Sequence, residues 1–231
     1  MLRSRAAALL AIGLALATTA GCRRRGVFVR HHAQAADVEV PRAEVTFQID
    51  GELEETAWPK AAMVGAFVGA DGKLARPHSE IRATHRDGVL YLALYAADED
   101  IRGGSAKPDG PVWLSGDAFH LELSVGDTTH LFDISPRAVI TDARRKGLGS
   151  WDYGWQSQAK AAVDVDGTFD DPSDDDEEWV VELAVPLASI GLTGRHGERL
   201  SLSARRCDHP KPGGVFCGSL GQPKPLVLEL E

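Results

Sequence analysis

Apolar and polar residues alternate with a period of two along much of the chain, and the clearest run is Phe119 to Ile134. Phe119, Leu121, Leu123 and Val125 alternate with His120, Glu122 and Ser124, the pattern of a strand with one buried face. Gly126-Asp127 then forms a two-residue turn with glycine first, as type II′ turns prefer. This turn pairs Val125 with Thr128. It therefore sets Leu123 opposite His130, Leu121 opposite Phe132, His120 opposite Asp133 and Phe119 opposite Ile134. One face of the hairpin is apolar, and the other carries His120, Glu122, Ser124 and Asp133. A slip of one residue would bury Asp133 in place of Phe132, so the pattern also fixes the register. Trp113 stands just before the hairpin, in an approach rich in Pro and Gly.

The same alternation predicts further strands at Val45–Ile49, Ala66–Val68, Ile81–His85, Val89–Ala97, Ala138–Thr141, Ala159–Val165, Trp179–Val185, Leu200–Ala204 and Leu226–Leu230. Val89–Ala97 is apolar on both faces and reads as a central strand. Asp50-Gly51, Asp71-Gly72 and Asp87-Gly88 are turn signals. Trp58 is expected to plug a core edge. Residues 142–154 read as an irregular loop that holds Arg144, Arg145, Lys146, Trp151 and Tyr153 and is ended by Trp155. Leu187–Ile190 allows a single helical turn before the chain returns to strand. The class is all-β: a two-layer antiparallel sandwich, jelly-roll-like, with very little helix.

With 231 residues, 43% hydrophobic and 26% charged, the chain supports one sandwich but not two full domains. Its net charge of −9 argues against nucleic acid as a partner, and the basic run Arg23-Arg24-Arg25 lies at the N-terminus. That terminus reads as a targeting segment. Arg3 and Arg5 precede an apolar run, Ala6–Ala17, that is too short to span a bilayer. Thr19, Ala20, Gly21 and Cys22 follow. This resembles a bacterial lipoprotein signal, with Thr19 where the pattern usually has Leu. The resemblance implies a signal peptide at 1–21, lipidation of Cys22, a tether at 22–43 and an outer-membrane position in the cell envelope, held through the lipid. Ordinary cleavage near Ala20 is the alternative. His31 and His32 in the tether read as solvated rather than as a metal site. With Cys22 lipidated, Cys207 and Cys217 remain, and an exported setting points to a disulfide between them. Two free thiols, or a metal site with His209, are the alternatives.

Residues 44–231 carry four motifs in order. They are Ile49-Asp-Gly-Glu-Leu-Glu-Glu-Thr-Ala-Trp58; Leu90-Tyr-Leu-Ala followed by Asp98-Glu-Asp-Ile101; Trp113 with Gly116-Asp117; and Glu178-Trp-Val-Val-Glu-Leu-Ala-Val-Pro186. Together they resemble the family 9 carbohydrate-binding modules and their DOMON-like relatives. The resemblance implies a β-sandwich that grips a terminal sugar between two aromatic rings, with calcium as a structural ion. Trp113 is the first ring on this reading, and Phe216 is the stand-in for a second. Where the family has Asp-x-x-Glu, this chain has Asp117-Ala-Phe-His120.

Each candidate has a plainer counterpart. Trp113 is a stacking platform or a rim residue packed on the hairpin. His120 and Asp133 contact a ligand or form an exposed cross-strand pair. Trp151 and Trp155 add a second binding surface or are buried under their own loop. Glu182, on the non-core face of its strand, reaches the same site or does not. Asp98 and Asp100, or Asp164 and Asp166 in the acidic stretch up to Glu178, supply hard oxygen ligands for calcium or belong to a solvated loop. No nucleophile, zinc or phosphate-loop motif is present, so no enzyme activity is expected. The expected function is a non-catalytic carbohydrate-binding module on a lipoprotein. The alternatives are an envelope lipoprotein that binds a protein partner, and a DOMON-like haem domain for which Met63 would be the ligand.

Overall fold

The computed structural model describes residues 37–104, 107, 112–210 and 213–231. Among these it forms twelve strands: β1 Asp37–Val40, β2 Ala62–Ala66, β3 Ser79–Arg86, β4 Val89–Ala97, β5 Ala118–Val125, β6 Thr128–Ile134, β7 Ile140–Lys146, β8 Lys160–Asp166, β9 Glu178–Pro186, β10 Arg199–Asp208, β11 Phe216–Leu220 and β12 Leu226–Leu230. Helix is confined to short 3-10 turns at Trp58–Lys60, Val112–Leu114 and Leu187–Ile190. A seven-stranded sheet runs in the order β1-β12-β10-β5-β6-β7, with β11 also paired to β10. A five-stranded sheet runs β2-β3-β4-β9-β8. The two pack face to face as a sandwich. Pairing is antiparallel except between β1 and β12, which run parallel.

The predicted hairpin forms in the predicted register, with Phe119 opposite Ile134, His120 opposite Asp133 and Leu121 opposite Phe132. Gly126 takes φ 60° at the turn, a conformation that glycine adopts without a side-chain clash. Phe119, Leu121, Leu123, Phe132 and Ile134 are fully buried against Leu92, Leu94, Val181 and Leu183 of the facing sheet. Each such side chain contributes roughly 1.5–3 kcal/mol by leaving water.

β4 is the middle strand of its sheet, as its two apolar faces require. Leu90, Leu92 and Leu94 point into the sandwich. Tyr91, Ala93 and Tyr95 point outward and are covered by a strap carrying Phe47, Leu53, Trp58 and Ala61. Phe47 stacks on Tyr91 at 4.0 Å and meets Trp58 edge-on at 5.1 Å. Trp58 is fully buried, under the strap rather than at the rim of the main core.

Several expectations need correction. Val45, Phe47 and Ile49 turn inward alternately, but 45–49 joins no sheet. Its partner is the outer side-chain face of β4 and not a strand edge. Asp37–Val40, within the stretch read as a tether, forms β1, whose Val38 and Val40 enter the core. Arg144, Arg145 and Lys146 belong to β7 rather than to a loop. β11, which lacks a clear alternation, forms because the disulfide and β10 hold it in place. Cys207 and Cys217 are bonded, closing that hairpin.

The strap is anchored by Glu182 of β9. This carboxylate is fully buried and accepts hydrogen bonds from Asp50 N at 3.0 Å, Gly51 N at 3.3 Å and Trp58 Nε1 at 3.3 Å. Burial raises its pKa to about 7, and the nearby charge of Glu55 adds to the effect. Glu182→Ala leaves the Asp50 and Gly51 amides without this acceptor and leaves Trp58 Nε1 to Glu55 alone. It should cost about 3 kcal/mol, read as a lower urea midpoint with an unchanged slope. A loss under about 0.5 kcal/mol, the range of ordinary surface changes, would show that the strap does not depend on Glu182.

Candidate functional site

Because Phe119 and Leu121 face the core, His120 and Glu122 stand on the outer face of the seven-stranded sheet. His120 Nδ1 lies 2.6 Å from Asp133 Oδ1, and His120 Nε2 lies 3.6 Å from Glu122 Oε1. Arg145 Nη2 of β7 reaches Glu122 Oε2 at 3.4 Å. Arg205 of β10 sits opposite His120 in the ladder and is exposed. Charged side chains of both signs thus cross four adjacent strands. Burial works against charging the His120 ring, but the hydrogen bonds to Asp133 and Glu122 outweigh it and raise the pKa to about 9. Burial also raises the Asp133 pKa, against the pull of His120. The second oxygen of Asp133 is buried without a hydrogen-bond partner.

The aromatic candidates separate into three places. Trp113 is half-buried and packs beside Val112, Ala118 and Val139. Ala118 shares the outer face with His120, so Trp113 lies at the same end of that face. Trp151 is half-buried over the far end, where the Arg145 guanidinium stacks on its ring at 4.4 Å. Trp155 goes elsewhere. It packs on the core at the sheet edge, 5.1 Å from the His130 ring and 6.2 Å from Phe132. The loop 147–159 folds over the edge of β7 and places its two tryptophans on opposite sides. Phe216 is exposed, but it alternates with Cys217 along β11 and so leaves the strand on the side away from Ala118 and His120. It does not pair with Trp113 as a second wall. Glu182 is also not part of this face, since it lies on the outer side of the opposite sheet.

A second polar centre closes the same end of the sandwich from within. Asp98 follows β4, Asp117 precedes β5 and Asp208 ends β10, and all three are buried. Their ligand oxygens lie within 4.8 Å of one another. Arg206 Nη2 donates to Asp98 Oδ2 at 2.6 Å and lies 3.1 Å from Asp208 Oδ1. Trp179 Nε1 also donates to Asp98, while Asp117 accepts from Arg102 N and His209 N. Burial, reinforced by Asp98, raises the Asp117 pKa to about 8. Asp208 is raised to about 6 by burial, against the pull of Arg206. Three carboxylates around one guanidinium leave negative charge to spare, and neither oxygen of Asp208 makes a hydrogen bond. The oxygen spacing suits a cation with bonds of about 2.4 Å, so the residues fit calcium in kind and in reach.

Of the three carboxylates in this cluster, the motif singled out Asp98. Asp117 and Asp208 were not read as ligands, because they are distant in sequence and only strand pairing brings them together. Asp100 instead pairs with Arg102 at 2.7 Å. Asp164 and Asp166 join no group of three possible ligands among the described residues.

No protein-family model matches this sequence, and no curated protein matches it. Solved structures do match. A protein of Bacteroides uniformis described as carbohydrate-binding aligns over 87% of this chain and all of its own, with 12% identity and a TM-score of 0.60. A carbohydrate-binding module of family 9 from Caldicellulosiruptor kristjanssonii, in complex with glucose, aligns over 84% of this chain and 95% of its own, with 10% identity and a TM-score of 0.55. Its complex with cellotriose gives a TM-score of 0.51. This chain shares the fold of the family 9 carbohydrate-binding modules.

Within this family 9-like sandwich, Met63 lies on β2 opposite Arg82, in the sheet that lacks the His120 network. Cys22 and the signal segment lie outside the described residues.

The His120 network has a pH signature. A histidine raised from about 6.5 to about 9 on folding adds stability that is complete below pH 6.5 and is lost as pH rises towards 9. His120 is partly exposed, so solvent screening limits the effect to about 1 kcal/mol. NMR titration of the full chain should place the His120 midpoint near 9, and His120→Gln should flatten the fall in stability across this window. A midpoint at or below 6.5 would mean that the two carboxylates do not hold the proton.

Proposed function

We propose that this chain is a non-catalytic carbohydrate-binding domain whose ligand lies on the outer face of the seven-stranded sheet. The observation that carries this reading is the placement of a half-exposed indole, Trp113, at the end of a face bearing the His120–Asp133 pair. An indole offers a flat apolar surface to the C–H face of a pyranose, while His120, held by the buried Asp133, and Glu122 can bond hydroxyls at its edge. The sandwich is shared with modules described in complex with glucose and cellotriose, which supports the same use here. Calcium would be held by Asp98, Asp117 and Asp208, with Arg206 retained beside it, and would clamp the two sheets below the sugar face. Lipidation at Cys22 would carry the domain on the outer membrane.

Titration of the full chain with a panel of mono- and oligosaccharides should change tryptophan fluorescence, and Trp113→Ala should weaken binding about tenfold. No response from any saccharide would overturn the sugar reading. Calcium should raise Tm by several degrees, reversibly with a chelator, and Asp208→Asn should remove that shift. An unchanged Tm in millimolar calcium would sink the ion proposal.

A second reading has one observation in its favour. Leu114, Val215 and Phe216 are 72%, 55% and 61% exposed at the end of the sandwich near Trp113. Such residues suit contact with an envelope protein.

A further inference from the structure

On the outer face of β10, β5, β6 and β7, Arg205, His120 and Arg145 stand with Glu122 and Asp133, while the β1–β12 side of that face carries Asp37, Glu39 and Glu229 with Arg199. Arg205 opposes His120, and Arg145 reaches the same Glu122 that His120 approaches. Three potential cations therefore share Glu122 and the buried Asp133. Arg205 is the least committed of them. It is exposed, it acts on Glu122 only through its field, and among the described residues no carboxylate lies within salt-bridge distance of it. Other basic residues of this sheet differ: Arg144 pairs with Asp152, Lys146 with Asp127, and Arg199 with Glu229.

The strip also has length. Trp113 adjoins Ala118 at one end, and Trp151 adjoins Arg145 at the other. Arg145 opposes Thr129, which opposes Ser124. From Ala118 to Ser124 is six residue steps, or about 20 Å at roughly 3.3 Å per residue. An indole at each end with cations between them suits a chain of several sugar rings rather than one terminal ring. Guanidinium groups pair with planar carboxylates through two parallel hydrogen bonds.

We infer that the ligand of this face is an acidic oligosaccharide, with uronate carboxylates paired to Arg205 and Arg145 and with sugar rings packed on Trp113 and Trp151. This rests on the carbohydrate-binding reading and names its substrate class.

The test is calorimetry on the full chain with tetragalacturonate, tetramannuronate, fully methyl-esterified tetragalacturonate and cellotetraose. The ester keeps the ring geometry and removes the charge. At least one tetrauronate should bind at least tenfold more tightly than the ester and cellotetraose. Its affinity should fall with added salt, and Arg205→Gln should lower it three- to tenfold with Tm unchanged. Equal affinity for acid and ester, or preference for cellotetraose, overturns the acidic class and leaves the sugar-binding reading standing. Binding of none of the four overturns this inference. Only silence from the wider saccharide panel would remove the sugar-binding reading as well.

Discussion

The direction of each side chain on β5 is set by the burial of Phe119, Leu121 and Leu123 between the sheets. Each contributes roughly 1.5–3 kcal/mol, while turning the strand by one residue would bury His120 and Glu122 in their place. The neighbouring strands inherit this choice through the ladder. β10 places Ala204 and Arg206 inward and Arg205 and Cys207 outward, because Arg206 pairs with Phe119 and Arg205 with His120. Both polar centres therefore follow from one alternation. The inward residues at the end of β5 and β10 belong to the carboxylate cluster, and the outward ones belong to the His120 face.

The inner cluster and the outer face place different demands on charge. Arg206 is almost fully buried, and its guanidinium is tolerated there only because carboxylates from both sheets surround it. Asp98 comes from the five-stranded sheet and Asp208 from the seven-stranded one, so the ion pairs tie the layers where Phe119 and Trp179 meet at 4.9 Å. Asp133 of the outer face is buried, but His120, Glu122, Arg145 and Arg205 keep contact with solvent. This is the condition for a ligand carboxylate or hydroxyl to displace water without a large desolvation cost.

Sequence periodicity made the hairpin, the central place of β4 and the sandwich class readable, since each depends on residues close together in the chain. Cysteine counting made the disulfide readable. Periodicity failed where packing came from another direction. Residues 45–49 alternate like a strand, yet they lie over the outer side of β4, where Phe47 meets Tyr91. The four residues of β1 carry only Val38 and Val40 as signal, which is too short a pattern to stand out from a tether. Glu182 was correctly placed on the non-core face of its strand, but sequence cannot tell which sheet that strand joins. β9 pairs with β4 and β8, which puts Glu182 beneath the strap and on the far side of the sandwich from His120.

The tryptophans show why a site made by a loop is harder to read than one made by a strand. Trp151 and Trp155 are four residues apart, and a loop permits any relation between them. The backbone exchange between Arg144 and Asp152, 2.8 Å one way and 3.3 Å the other, pins the loop across the edge of β7. That pin sends Trp151 to Arg145 on the outer face and Trp155 to His130 on the core side. Trp155 covers the edge of the sandwich beside His130 and Phe132. Trp151 keeps an indole available beside the charged strip. The loop therefore serves the core with one ring and the surface with the other.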